Sequence, residues 1–177
     1  MQKNIRNLSI SSLFVALFVI LSYFAINLTI LKITLSGLPL ILGSLLLGPY
    51  YGLLIGGVGA FLEQAIRYGL GPTSILWIIP ILIRGLVIGL YAKKKNYIYT
   101  TFEIALIMIL SGILLTLLNT VSIYINNILL GNKKAIQTML VMIVPRMLTT
   151  LATNVIYIPI VPFLLKRIKA IMNRSDI

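Results

Sequence analysis

Apolar runs long enough to cross a bilayer fill almost the whole of this 177-residue chain, and only a few ionisable side chains interrupt them. A helix of roughly 20 apolar residues spans a hydrocarbon core of about 30 Å. With 59% hydrophobic residues, the chain lies well above the ~45–50% usual in soluble domains. The fold class that follows is an all-α integral membrane protein. Glu63, Arg67, Arg84 and Arg146 lie inside these runs or at their edges. A charge at such depth costs about 2.5–3.5 kcal/mol on insertion scales, so each is expected to face a cavity or a partner. Function is sought first at these four positions.

The run boundaries predict six transmembrane helices, over residues 10–28, 35–47, 51–66, 74–92, 102–125 and 136–165, in a single domain covering 1–177. The second is short for a perpendicular span, and Gly48-Pro49 ends it because proline lacks a donor and restricts its neighbour. Ahead of it, the alternation from Leu31 to Leu35 reads as a short extended stretch or a re-entrant loop. Gly52 and Gly56 form a GxxxG that suits close helix packing in lipid. Pro145, Pro159 and Pro162 are expected to bend the last helix.

The net charge of +12 is distributed by topology. Lys3 and Arg6, then Lys93, Lys94 and Lys95, then Lys166, Arg167, Lys169 and Arg174 gather at helix ends that six spans place on one side. The positive-inside rule makes that side cytoplasmic, giving N-in, C-in topology. The opposite side keeps Lys32, Lys133 and Lys134, with Arg67 near its edge. Basic residues distributed in this way mark orientation in lipid, and nucleic acid is excluded as a partner.

The chain has no cysteine and no histidine, and its only acids are Glu63, Glu103 and Asp176. Thiol nucleophiles, imidazole acid–base chemistry, zinc sites and haem ligation are thereby excluded, and a carboxylate dyad or two-metal centre has too few ligands. No metal or cofactor is expected, and the chain does not read as an enzyme. It also lacks a G-x-x-x-x-G-K-[ST] phosphate loop, so it cannot itself hydrolyse ATP.

Helical spacing sorts the membrane-depth polar residues into faces. Glu63 and Arg67 are one turn apart in the favourable order for an ion pair. Such a pair either closes the helix end or contributes to a ligand site. Thr73, Trp77 and Arg84 share a face of the fourth helix. Trp77, the single tryptophan, is either an interfacial anchor or an aromatic wall for a planar ligand. Arg84 needs a partner that spacing does not identify. Arg146, Thr149, Thr150, Thr153, Asn154 and Tyr157 trace one stripe on the sixth helix, and Thr116, Asn119, Ser122 and Asn126 trace another on the fifth. Interhelical hydrogen bonding, worth about 0.6 kcal/mol per bond, accounts for the threonines but not for Arg146, which reads as an anion site.

Three stretches carry a family resemblance. Gly37-Leu38-Pro39, then Gly48-Pro49-Tyr50-Tyr51-Gly52 with Gly56, resembles the second-to-third helix region of the substrate-binding S components of ECF (energy-coupling factor) vitamin transporters. Val144-Pro145-Arg146 followed by Ile158-Pro159-Ile160 is similar to the last helix of their folate-type branch, and Ser12 and Ala16 stand where the family has an Ala-xxx-Ala contact with its coupling subunit. The chain departs from the folate pattern after the third helix, where it carries Glu63-Gln64 and Gly71-Pro72-Thr73-Ser74-Ile75-Leu76-Trp77.

The resemblance implies a multi-pass subunit in a prokaryotic plasma membrane. It would bind a water-soluble vitamin at the outer face and topple in the membrane to release it inside. Its partners would be membrane lipid, a coupling subunit and two cytoplasmic ATPases. The expected pocket is lined by Glu63, Arg67, Trp77, Asn119, Asn126 and Arg146, with Ser12 and Ala16 at the subunit contact. Two arginines favour a carboxylated ligand and Trp77 favours a ring, which ranks folate ahead of pantothenate, with an uncharged pyridoxine-like compound third. The competing readings are a structural membrane subunit without a ligand and an intramembrane enzyme, the latter disfavoured by the missing nucleophiles and metal ligands.

Overall fold

The computed structural model describes residues 2–27, 32–131 and 134–174. It contains six helices: α1 (Gln2–Tyr23), α2 (Gly37–Leu47), α3 (Pro49–Arg67), α4 (Ser74–Lys94), α5 (Thr101–Leu129) and α6 (Ala135–Arg174). Four of them, α1, α4, α5 and α6, are long and apolar enough to cross a membrane. α3 is long but is diluted by Gly52, Gly56, Gly57 and Gly59. The 11 residues of α2 reach about 16 Å at 1.5 Å per residue, roughly half of a bilayer core.

Helix limits differ from the sequence reading where local chemistry intervenes. The expected first span to Leu28 is cut short, because α1 stops at Tyr23 and the chain becomes extended. β1 (Ala25–Asn27) and β2 (Lys32–Thr34) pair antiparallel, with Ala25 opposite Thr34. This hairpin is the one departure from an all-helical fold among the described residues, and it resolves the alternation before Leu35 as extended chain. Leu28, Lys133 and Asp176 lie outside the described residues. α6 continues through Pro145, Pro159 and Pro162 as one helix.

The turn between α2 and α3 has a direct cause. Gly48 adopts φ 91°, a region that side chains disfavour, and Pro49 opens α3 with its φ already helical and no N–H to leave unpaired. α2 then sits inside the other helices, with Leu40, Ile41, Leu45 and four further residues from Pro39 to Leu47 buried together with Ser44. Phe14 and Phe18 of α1, Ile55 of α3, Ile88 of α4, Met108 of α5 and Val161 of α6 complete the core. The outward faces keep Leu13, Leu117, Val141 and Val155 exposed, as expected of surfaces that meet lipid tails.

α3 and α4 meet backbone to backbone. A Cβ on Gly52 would lie 2.5 Å from the Gly85 carbonyl oxygen, and one on Gly56 would lie 2.8 Å from that of Ile81. The GxxxG of α3 therefore faces Gly85 and Ile81 of α4, Gly89 packs on Gly48 and Pro49, and this seam fixes the depth of Arg84.

The lysine-rich end is tied together by polar contacts. Asn96 and Tyr97 turn the chain with φ of 49° and 61°, and the Thr100–Glu103 capping box starts α5. Lys95 reaches Glu103 at 2.5 Å, and this bond raises the lysine pKa. The Tyr99 hydroxyl donates to the Leu45 carbonyl at 3.0 Å, and Lys169 of α6 donates to the Tyr97 carbonyl.

Candidate binding cavity

The polar stripe of α6 faces inward. Arg146, Thr149, Thr150, Thr153, Asn154 and Tyr157 all line a cavity of 440 Å³. α5 contributes Gly112, Thr116 and Asn119, α4 contributes Ile81 and Arg84, α3 contributes Glu63, and the chain from β2 into α2 contributes Thr34, Ser36 and Gly37. A second cavity of 520 Å³ adjoins it through Glu63, Ile81, Asn119 and Arg146, and adds Ala60, Gln64, Tyr68 and Trp77. Both volumes fall in the ~300–1,000 Å³ range of small-molecule sites.

Hydrogen bonding separates frame from lining. Thr149 and Thr153 donate to carbonyls one turn back in their own helix, at 2.8 and 2.7 Å. Thr116 and Thr150 bond across α5 and α6 at 2.6 Å and join the two helices. The Tyr157 hydroxyl donates to the Thr34 carbonyl at 2.5 Å and ties α6 to the hairpin. Arg146 is half-buried and makes no hydrogen bond or ion pair among the described residues. It is a cation with its donors open to the cavity.

The charges in the lining are two guanidinium groups, Arg84 and Arg146, against one carboxylate, Glu63. Glu63 is already engaged by Arg67 at 3.4 Å. The wall is therefore net positive in a poorly solvated space, where charge acts more strongly than in water.

A sequence model of the family described as ECF transporter, substrate-specific component, matches residues 6–168. The chain belongs to this family. No curated protein matches it. As an ECF substrate-specific component it is a membrane protein, consistent with its four long apolar helices.

Not all of the residues expected at the site of this ECF component meet in the cavities. Glu63, Asn119 and Arg146 line both, and Trp77 lines the second. Arg67 lines neither. Its guanidinium donates to the Ser22 carbonyl at 2.5 Å and to Glu63, and it lies over the Tyr23 and Tyr68 rings at 5.4 and 5.5 Å. That geometry fastens the end of α1 to the end of α3. Asn126 also lies outside both linings. Ser122 bonds the Leu76 carbonyl at 2.6 Å near the start of α4, so Asn126, one turn further along α5, stands past the end of that wall.

Arg84, Asn154 and Tyr157 belong to the lining, although spacing alone left Arg84 without an assigned role. The signal for the other two was the α6 stripe itself. Ser12 and Ala16 line neither cavity: they are exposed on α1 beside the exposed Leu13, Leu17 and Ile20.

Proposed function

We propose that this ECF substrate-specific component captures a carboxylated, ring-bearing vitamin of the folate class at the outer face of a prokaryotic plasma membrane. It would hand the vitamin to a coupling subunit driven by two cytoplasmic ATPases. The observation that carries this reading is the net-positive polar cavity, with Arg146 unpaired among the described residues, inside a largely apolar bundle. An unpaired cation at such depth is costly unless a ligand meets it. Trp77 and Tyr68 in the adjoining cavity supply aromatic surface for a ring, which keeps folate ahead of pantothenate and of pyridoxine.

In this reading all six helices are membrane-embedded, with the lysine-rich ends cytoplasmic as the positive-inside rule requires. The short α2 is compatible with that, because it packs against α1, α3, α4 and α6 rather than against lipid. The chain does no chemistry on its ligand. The exposed strip of Ser12, Leu13, Ala16, Leu17 and Ile20 is the surface offered to the coupling subunit, since small residues let a partner helix approach closely.

The test is titration of the purified protein with folate, pantothenate and pyridoxine, followed by Trp77 fluorescence and, independently, by thermal shift. Saturable binding of a carboxylated vitamin supports the reading. A response to pyridoxine alone would assign the arginines to structure, and no response to any of the three would leave the cavity without its proposed ligand class.

A further inference from the structure

Two polar groups in the cavity lining are buried far more deeply than Arg146. Arg84 is only 7% exposed and Asn154 only 4%. Among the described residues no carboxylate pairs with Arg84, and its one hydrogen bond is a long one of 3.5 Å from Nε to the Ser111 hydroxyl. A guanidinium carries five N–H donors, so most of its capacity is unmet. The Asn154 amide nitrogen is buried with no hydrogen-bond partner among the described residues.

The fold brings these groups together deliberately. A Cβ on Gly37 would meet the Tyr157 hydroxyl at 3.3 Å and Arg84 Nη1 at 3.4 Å, so both side chains converge on that bare stretch of backbone. Asn154 is on the same face of α6 as Tyr157, one turn away. It packs where α5 has Gly112, whose added Cβ would lie 3.1 Å from the amide nitrogen. Two glycines thus let the arginine and the phenol pack on one bare stretch of backbone and the amide on another, all three within the lining of the same cavity.

Resting on the reading of the cavity as a vitamin site, we infer that Arg84 and Asn154 form an anion subsite at its floor. This subsite takes the ligand carboxylate, so the vitamin enters acid end first. A carboxylate supplies the two acceptor oxygens that a planar guanidinium matches, and its remaining lone pairs suit an amide N–H. Arg146 is the other candidate, but it is half-buried and 11 residues from Tyr157 along α6, roughly 16 Å at 1.5 Å per residue. It stands at the opposite end of the lining, where it meets a different part of the ligand. Trp77 precedes Arg84 by seven residues on α4, about 10 Å of helix, so the acid and the ring of the preferred ligand are separated by a distance on that order.

The experiment compares two probe pairs that differ at the acid: pantothenate with pantothenol, and folate with its bis-amide. Affinities are measured for the wild-type protein and for Arg84→Gln, Arg146→Gln and Asn154→Asp. The expected wild-type preference for the acid is tenfold or more. Arg84→Gln should reduce that ratio to within threefold of unity, whereas Arg146→Gln should weaken both members of a pair and keep the ratio.

Asn154→Asp is nearly isosteric, places a negative charge in the same cavity lining as Arg84, and covers the case in which Arg84→Gln does not fold. It should lower the acid-to-neutral ratio at least tenfold. A ratio that survives Arg84→Gln or Asn154→Asp but collapses in Arg146→Gln would overturn the subsite while leaving the vitamin-carrier reading intact. A wild-type protein that binds none of the four probes would remove both.

Discussion

Gly52→Ala tests the contact that sets the depth of the cavity floor. The added methyl would lie 2.5 Å from the Gly85 carbonyl oxygen, whereas an ordinary carbon–oxygen contact is about 3.3–3.6 Å. The shortfall is about 0.8 Å, and both groups belong to helix backbone, so no side chain can rotate away. α3 and α4 must move apart along their shared seam. A gap of 0.5–1 Å forfeits a quarter to a half of each dispersion contact along it.

Overpacking of this kind costs about 1–3 kcal/mol, and the rigidity of the obstacle puts Gly52→Ala toward the upper part of that range. For a chain of this length, 1 kcal/mol moves a cooperative melt by about 2–4 °C. Arg84 adjoins Gly85, so the same displacement lifts the guanidinium from the floor and ligand affinity falls with stability. Gly71→Ala is the control, because a Cβ there meets nothing within 4 Å. The assay is thermal unfolding in one detergent, paired with ligand titration. Equal melting temperatures and affinities for Gly52→Ala and Gly71→Ala would refute the backbone-to-backbone seam.

Arg146→Ala is expected to weaken ligand binding tenfold to a hundredfold with expression retained, since a charge-assisted contact is worth about 1.5–3 kcal/mol; unchanged affinity with lost expression would assign it to folding instead. Arg67→Ala should lower the melting temperature more than it lowers affinity, because Arg67 bonds Ser22 and Glu63 rather than facing a cavity. A double-mutant cycle with Glu63→Gln, read by melting temperature and affinity, checks that division. Ala16→Leu, on the exposed strip of α1, should abolish co-purification with the coupling subunit and leave vitamin binding within twofold of wild type; retained co-purification would move the contact elsewhere.

Helix positions were legible because apolar run length is a one-dimensional quantity. The inward face of α6 was equally legible, since the steps from Arg146 to Tyr157 follow helical period. The pairing of Glu63 with Arg67 was visible as one turn of spacing. What that spacing could not reveal was the Ser22 carbonyl, 45 positions away, which draws Arg67 out of the cavity. Asn126 continued a stripe in sequence, but where its helix outruns α4 is a matter of how two helices start relative to each other. Arg84 was conspicuous as a buried charge, yet its surroundings come from α2, α5 and α6 as well as α4, and no local pattern records that convergence. The end of α1 at Tyr23 was missed because Phe24 to Leu28 is apolar enough to pass for helix while it leads into paired strand.

The ties around Lys95, Tyr97, Tyr99 and Lys169 make the molecule mechanically lopsided. They draw α2, the α4–α5 turn and α6 into one braced plinth, through Leu45, the Tyr97 carbonyl and the Thr100 cap. At the other end the hairpin is anchored to α6 through Thr34 alone among the described hydrogen bonds. Opening movements are therefore expected at the hairpin end, where the Tyr157–Thr34 bond and the Arg67–Ser22 bond are among the ties that must yield, with the braced end keeping its shape.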